Sequence, residues 1–250
     1  MARLSQIYYY NLVFYSRTRR FSIMVPLALA ISLINTFLIQ FHVVAKPPSV
    51  YFFTEANLGY AEILYILIAS MFAGDLVSRD FQKEGLFLLT QPISRRKLFF
   101  AKFLSALTVS IIAVTVYLFG SFITAYLLYK DIIPSWYQII LISFLAVTAL
   151  LSLVTLFSAV IKSPTMSITL SVFLLLILFP LAQQILQDVN KTPLFLITYA
   201  MQIITNLAQP PPQDSSQPTI FQSLEVFIAY IILGLALSII IYYKRELTEA

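Results

Sequence analysis

Six long apolar stretches alternate with shorter polar connections along the chain. Each stretch has about 20 mostly apolar residues, the length that crosses roughly 30 Å of hydrocarbon as a helix. The stretches lack the period-two alternation that a membrane β-strand requires. The pattern therefore predicts an all-α polytopic membrane protein, a single transmembrane domain over residues 1–250 with spans near residues 21–44, 60–78, 101–129, 137–161, 165–187 and 224–243.

Residues 1–20, which precede the first predicted span, have a helical pattern of their own. Apolar side chains recur every three or four residues, and basic residues stand at both ends. The recurring positions are Leu4, Ile7, Tyr8, Leu12 and Tyr15. This pattern predicts an amphipathic helix that lies along the membrane surface.

The connections on the other side of the predicted membrane differ in length. Residues 45–59 are expected to form a short loop, whereas residues 188–223 form the longest segment outside the spans. Within that segment, residues 193–208 are mostly apolar but too short to cross the bilayer comfortably, which favours an interfacial or re-entrant helix before the last span. The proline-rich residues 209–218 then predict an extended loop in solvent.

The basic residues fix the expected orientation. If the N-terminus is cytoplasmic, the segments on that side hold thirteen Lys and Arg residues, against three on the other side. Cytoplasmic loops carry this excess in membrane proteins. We therefore expect a multi-pass protein of the plasma membrane with both termini in the cytoplasm. Apolar residues make up 60% of the chain and charged residues 11%, which is too little polar surface for a water-soluble fold.

The cytoplasmic loop over residues 79–100 is the most informative segment. It is charged at first, then apolar over Gly85–Thr90, then broken at Pro92, and basic over Arg95–Lys97. Apolar side chains in such a short loop need a partner surface or the membrane interface to cover them. Ser94 is a candidate N-cap for the helix that enters the membrane as the third span.

The order of residues in this loop resembles that of type-2 ABC transporter permeases. The likeness rests on an acidic helix end with Asp75 and Ser78, an acidic residue at Asp80 or Glu84, the glycine and leucine step that begins at Gly85, the turn Pro92-Ile93-Ser94-Arg95, and Lys102. It extends to the six-span topology with a surface helix before the first span. The resemblance implies that this loop docks on a separate ATP-binding cassette ATPase. The implied coupling residues are Phe81, Lys83, Glu84, Gly85, Leu86, Leu88, Leu89, Pro92, Ser94 and Arg95.

The resemblance further implies a permease subunit, most simply of an exporter, in which two copies or two related permeases form the substrate pathway within membrane lipid. Polar side chains of the first span, Asn35 and Gln40, are the candidates for lining that pathway. The alternative is a scaffold or signal-transmitting membrane protein that binds a cytoplasmic partner through the same loop. The absence of a large outer domain that could receive a signal favours transport.

The sequence also indicates which functions to exclude. The five glycines form no phosphate-binding GxxxxGK[ST] motif, so ATP hydrolysis is expected in a partner subunit. With no cysteine, a single histidine and no HExxH motif, we expect no catalytic residues, no metal site and no cofactor. The basic residues flank apolar stretches instead of forming one patch, which argues against nucleic acid. Nothing in the pattern identifies the substrate.

Overall fold

The computed structural model describes residues 4–82, 94–189, 191–210 and 217–244. Within these ranges the chain is helical and contains no strand. The helices are α1 (Leu4–Arg17), α2 (Arg19–Gln40), α3 (Val50–Leu58), α4 (Ala61–Ala73), α5 (Arg95–Tyr129), α6 (Trp136–Val160), α7 (Pro164–Phe173), α8 (Phe179–Asp188), α9 (Ile197–Met201), α10 (Ile203–Asn206) and α11 (Ile220–Lys244).

Six helical stretches in the described residues are long and apolar enough to cross a membrane. They are Arg19–Gln40, Val50–Phe81, Arg95–Tyr129, Trp136–Val160, Pro164–Asp188 and Ile220–Lys244. The predicted all-α class with six spans is therefore confirmed. The fifth stretch joins α7 to α8 through a π-helical turn, Leu174–Leu178. This turn precedes Pro180, whose missing N–H interrupts the regular α-helical hydrogen bonds.

The spans divide into central and peripheral helices. In the stretches that contain α4 and α6, 78% and 67% of the most apolar window is buried inside the chain. The corresponding share is 17% for α2, for α7 with α8, and for α11. A single chain therefore leaves most of the surface of three spans for lipid or another protein to cover.

The central helix α6 packs most extensively against α11, and the contact is close because of a glycine. A Cβ atom added at Gly234 of α11 would lie 2.8 Å from the carbonyl carbon of Ser152 in α6. Only a residue without a side chain allows the two backbones to approach this closely. The small side chain of Ser152 completes the fit.

Helix α1 packs lengthwise on the first half of α5. Ile7 is buried with Leu98 and Ala101, and the Tyr8 hydroxyl lies 2.9 Å from the Thr108 hydroxyl. The exposed face of α1 carries Tyr9 and Tyr10 together with Leu4 and Phe14. Of the five positions in the predicted apolar pattern, Leu4 therefore points away from the bundle. How α1 lies relative to the bilayer stays a prediction.

The predicted loop over residues 45–59 is wrong in part, because α3 occupies residues 50–58. The polar residues of α3 are bonded within the protein. Thr54 donates to the Val50 carbonyl at 2.8 Å, Asn57 accepts a bond from Asn35, and Glu55 accepts one from Gln209 at 2.9 Å. These bonds allow the apolar residues between them to be buried.

The apolar segment 193–208 forms two short helices, α9 and α10, where one helix was predicted. The chain turns between them at Gln202. The segment is largely buried: α9 contacts α8 and α11, whereas α10 contacts α3 and α6. It is tied down by Ser135, which donates to the Leu207 carbonyl at 2.6 Å, and by Tyr230, which donates to the Phe195 carbonyl at 3.0 Å. Its depth in the bilayer stays a prediction.

Candidate functional site

The chain leaves α4 at Gly74 and forms a buried, irregular segment that ends in a 3₁₀ turn, Ser78–Phe81. Its backbone needs partners, since the helical hydrogen bonds stop there. The hydroxyl of Ser158 in α6 supplies one acceptor for two donors: it lies 3.0 Å from the Val77 nitrogen and 3.1 Å from the Ser78 nitrogen. This contact fixes the start of the loop against the central helix.

Asp75 begins this segment and is paired with the first span. Its carboxylate lies 2.9 Å from Arg20 Nη1 in α2, and the same guanidinium donates to the Met71 carbonyl at 2.8 Å. Arg20 therefore binds both the end of α4 and the residue that follows it. The guanidinium is partly exposed, so the link is best understood as an orienting contact and not as a large source of stability.

Asp80 is the centre of a buried polar cluster. One carboxylate oxygen accepts a hydrogen bond from Lys102 Nζ of α5, with which it forms an ion pair. The other oxygen accepts a bond from the Tyr242 hydroxyl of α11 at 2.9 Å. Three segments that are far apart in sequence, the loop start, α5 and α11, are thus joined by one carboxylate. Such a pair persists in a buried place only when its remaining bonding capacity is also satisfied.

Helix α1 also contacts this region. The Tyr15 hydroxyl donates to the Phe72 carbonyl at 3.2 Å, and the ring of Phe72 meets the Tyr15 ring edge-on. Burial, and then the nearby charge of Asp75, raise the pKa of the Tyr15 phenol. The phenol therefore stays protonated and remains a donor. Arg79 stacks over the ring of Phe14, with 4.8 Å from the guanidinium carbon to the ring centroid.

The described chain resumes at Ser94, which occupies the N-cap position of α5 with an extended backbone. Its hydroxyl makes no capping hydrogen bond; the Ser94 carbonyl accepts from the Leu98 nitrogen at 3.2 Å. Arg95 and Arg96 follow, and both contact Tyr243 of α11. At the loop start, the Phe81 ring lies against the Tyr242 ring, with 5.8 Å between centroids.

The predicted coupling residues are thus placed as follows. Phe81, Ser94 and Arg95 lie at the two points where the loop meets the helices. The others, Lys83, Glu84, Gly85, Leu86, Leu88, Leu89 and Pro92, lie outside the described residues. The structure therefore describes the base of the predicted loop, which we call the loop base: residues 75–82 and 94–102.

The two predicted pathway residues do not form a common site. Asn35 Nδ2 donates to Asn57 Oδ1 at 2.8 Å, whereas Gln40 is exposed at the end of α2. Asn57 is fully buried, and its carbonyl accepts a bond from the Tyr117 hydroxyl at 2.5 Å. The Asn57 side-chain nitrogen lacks a partner in the described structure. Sequence reasoning missed Asn57 because it placed residues 45–59 in a short loop, and it missed Tyr117 because one tyrosine within the predicted third span is ordinary.

Sequence reasoning also missed Tyr242 and Ser158, which bind the loop base from α11 and α6. No local signal marked either residue, since one tyrosine and one serine in apolar helices are ordinary. Asp75, Asp80, Arg20 and Lys102 did offer a signal: they are opposite charges near the ends of predicted spans. Their pairing required the relative placement of the helices. Among the described residues, no group of His, Cys, Asp or Glu is arranged to hold a metal ion.

The fold defines a polytopic α-helical membrane protein with a buried, charged loop base at one end of the bundle. A family model described as "ABC-2 family transporter protein" matches residues 15–247. The chain belongs to this family and is a type-2 ABC transporter permease. Members are in general transmembrane components that lack an ATPase site of their own and work with an ABC ATPase. No curated protein matches the chain.

Proposed function

We propose that this chain is the permease subunit of an ATP-driven exporter, which forms the substrate pathway as a dimer and docks two ATPase subunits through the loop over residues 79–100. The observation that carries the proposal is the construction of the loop base. A loop start whose residues contact five different helices is suited to pass a displacement into the membrane domain.

The proposed mechanism starts at the ATPases. When ATP binding closes them, they displace the loop. Asp75 passes the displacement to α2 through Arg20, and Asp80 passes it to α5 through Lys102. The helices then move between two arrangements of the pathway, as packed helices with discrete alternative contacts can do. ATP hydrolysis takes place in the partner, since the chain has no phosphate-binding glycine motif.

The dimer is supported by the peripheral helices. The stretches that contain α2, α7 with α8, and α11 each bury 17% of their apolar window in one chain, so a second permease can cover part of them. Lipid covers the rest. Asn35 belongs to α2 and is half-buried, which suits a position that faces the pathway between two permeases. We propose the same for Gln40, at the exposed end of this helix.

The orientation follows from charge. The excess of basic residues on the loop-base side, thirteen against three, supports the proposal that this side, with both termini, faces the cytoplasm. An ATPase docked on the loop would then have access to cellular ATP. The plasma membrane is the proposed location.

The test is co-purification of the tagged chain with a candidate ABC ATPase from membranes. The variant Leu88→Asp/Leu89→Asp places two charges in the apolar step of the loop. We expect it to insert into the membrane and lose the ATPase. The matched control, Leu88→Met/Leu89→Met, keeps the apolar character and volume at the same positions and should retain the ATPase.

Size-exclusion chromatography of each variant in detergent checks its folding. Retention of the ATPase by the aspartate variant would move the docking site away from this loop. Failure of the correctly inserted wild-type chain to bind any ABC ATPase would instead support the scaffold alternative.

A further inference from the structure

Both ends of the loop contact the last turn of α11. The loop start meets Tyr242 through Asp80 and Phe81, and the loop end meets Tyr243 through Arg95 and Arg96. Adjacent residues on an α-helix project about 100° apart, so one turn of helix presents a separate side chain to each end. The final turn of the last span is thus a shared support for the entry and exit of the loop.

Tyr242 contacts the loop start in two ways. Its hydroxyl donates to Asp80 Oδ2 at 2.9 Å, and its ring lies 5.8 Å from the Phe81 ring and 5.9 Å from the Phe99 ring, centroid to centroid. The side chain is fully enclosed, with the residue 1% exposed. The hydrogen bond to Asp80 and the ring contact with Phe81 leave the loop start little freedom to move without α11, and the Phe99 contact joins the same tyrosine ring to α5.

Tyr243 contacts the loop end at the surface. Arg96 Nε donates to the Tyr243 hydroxyl at 2.9 Å, and the guanidinium carbon of Arg96 lies 5.4 Å from the ring centroid. Arg95 Nη1 lies 3.5 Å from the Tyr243 carbonyl oxygen, the long limit for such a bond. Tyr243 is 40% exposed, so it contributes little to the core. Its main effect is to join α5 to α11.

The other half of α11 is held against the central helix. At Gly234 the backbone of α11 is in close contact with Ser152 of α6, so the two helices cannot slide freely past each other. A displacement received by Tyr242 and Tyr243 therefore reaches α6, the helix that packs on α4 and α5.

We propose that Tyr242 and Tyr243 form a clasp that transmits loop movement into the α11–α6 pair. These are positioning residues, and the inference rests on the proposed coupling function of the loop. Without the clasp, the loop would still move α5, which continues directly from it, but α11 would no longer follow. The clasp makes the last span part of the transmission instead of a passive support.

The test exploits a chain without cysteines. An environment-sensitive fluorophore is attached to a single cysteine, either Leu237→Cys on α11 or Leu104→Cys on α5; both leucines are exposed, at 44% and 40%. The permease and its ATPase are reconstituted in lipid nanodiscs, and the fluorescence change is recorded on addition of MgATP with vanadate. We expect both sites to respond in the protein with an intact clasp.

The variant Tyr242→Phe/Tyr243→Ala removes the bond to Asp80 and both side-chain contacts to Arg96. We expect the response at position 237 to fall roughly threefold or more, within the range of known coupling changes, while the response at position 104 persists. A general loss of structure would reduce both. The variant Tyr243→Phe alone keeps the ring under the guanidinium and should retain most of the response at position 237.

Equal responses at position 237 with and without the clasp would overturn the proposal. So would a parallel loss at both positions while the ATPase remains bound, because transmission would then not be specific to α11. A wild-type chain that binds no ATPase overturns the coupling function itself, and with it the clasp. Native gel electrophoresis of the nanodiscs separates this outcome from the other two.

Discussion

At the scale of single residues, the loop base contains charged side chains that are stable in a buried position because they are paired. Asp80 and Lys102 are both buried, and their carboxylate and ammonium groups are in contact. A buried ion pair gains little over a well-packed apolar pair, but either charge left alone is costly. The two residues should therefore depend strongly on each other.

We expect Lys102→Met to destabilise the protein by about 3–5 kcal/mol, because it leaves the Asp80 carboxylate buried without its cation while the Tyr242 hydroxyl still donates to it. The measurement is the midpoint of thermal unfolding in detergent. The double variant Asp80→Asn/Lys102→Met removes both charges and should recover much of the loss. Losses that simply add would show that the two residues are energetically independent.

Ser158 gives a second prediction, since one hydroxyl oxygen accepts from two backbone nitrogens. Ser158→Ala leaves both buried N–H groups without this acceptor and should cost about 1–3 kcal/mol. The matched control is Ser16→Ala. The Ser16 hydroxyl donates to the Val13 carbonyl on the surface, so its loss should change the free energy of unfolding by less than about 0.5 kcal/mol. Equal unfolding midpoints for the two variants would contradict the role of Ser158.

At the scale of helices, close backbone contact decides how α11 is placed. A methyl group at Gly234 would lie within 3.0 Å of three atoms of Ser152, two of them backbone atoms that cannot rotate away. The interface between α6 and α11 therefore depends on the absence of a side chain. Its fixed geometry also places Tyr242 and Tyr243 beside the loop base.

Gly234→Ala should therefore separate α11 from α6 and destabilise the protein by about 1–3 kcal/mol. The control is Gly59→Ala: Gly59 has a helical backbone, and the nearest atom to an added Cβ would be 3.4 Å away. This change should be neutral or stabilising by about 0.4–1 kcal/mol. Thermal unfolding of both variants gives the comparison, and an unchanged midpoint for Gly234→Ala would show that the helices can adjust.

At the scale of the whole molecule, the orientation in the membrane is open to a direct test, because the absence of cysteines allows single-cysteine labelling. Ser16 in α1 and Asp131 in the connection between α5 and α6 are both exposed. With the proposed orientation, a membrane-impermeant maleimide should label Asp131→Cys in intact cells and Ser16→Cys only after permeabilisation. The reverse pattern would overturn the orientation inferred from the basic residues.

The extent of burial in each span is a property of the whole molecule as well. Mean apolar character does not separate the central helices from the peripheral ones, since the α11 stretch is as apolar as that of α6. The central and peripheral helices differ in how much of their surface is covered by other helices of the chain. In a membrane, lipid and protein interior are both apolar, so hydrophobicity does not report which side of a helix is covered.

The sequence by itself determined the class of the protein and the number of spans. These features follow from the length of apolar runs and the position of charges, which are local properties. It did not determine α3, because the polar side chains of Glu55 and Asn57 find their partners in residues far along the chain, near α10 and in α2.

Only the tertiary structure decided how the loop base is held. Lys102 lies 22 residues and Tyr242 lies 162 residues from Asp80 along the chain. Nothing in their local sequence specifies that the three residues meet. Their contact depends on the packing of α5, α6 and α11, and the close fit at Gly234 sets the α6–α11 part of it. A charge near the end of a span has several possible partners, and the relative position of the helices selects one.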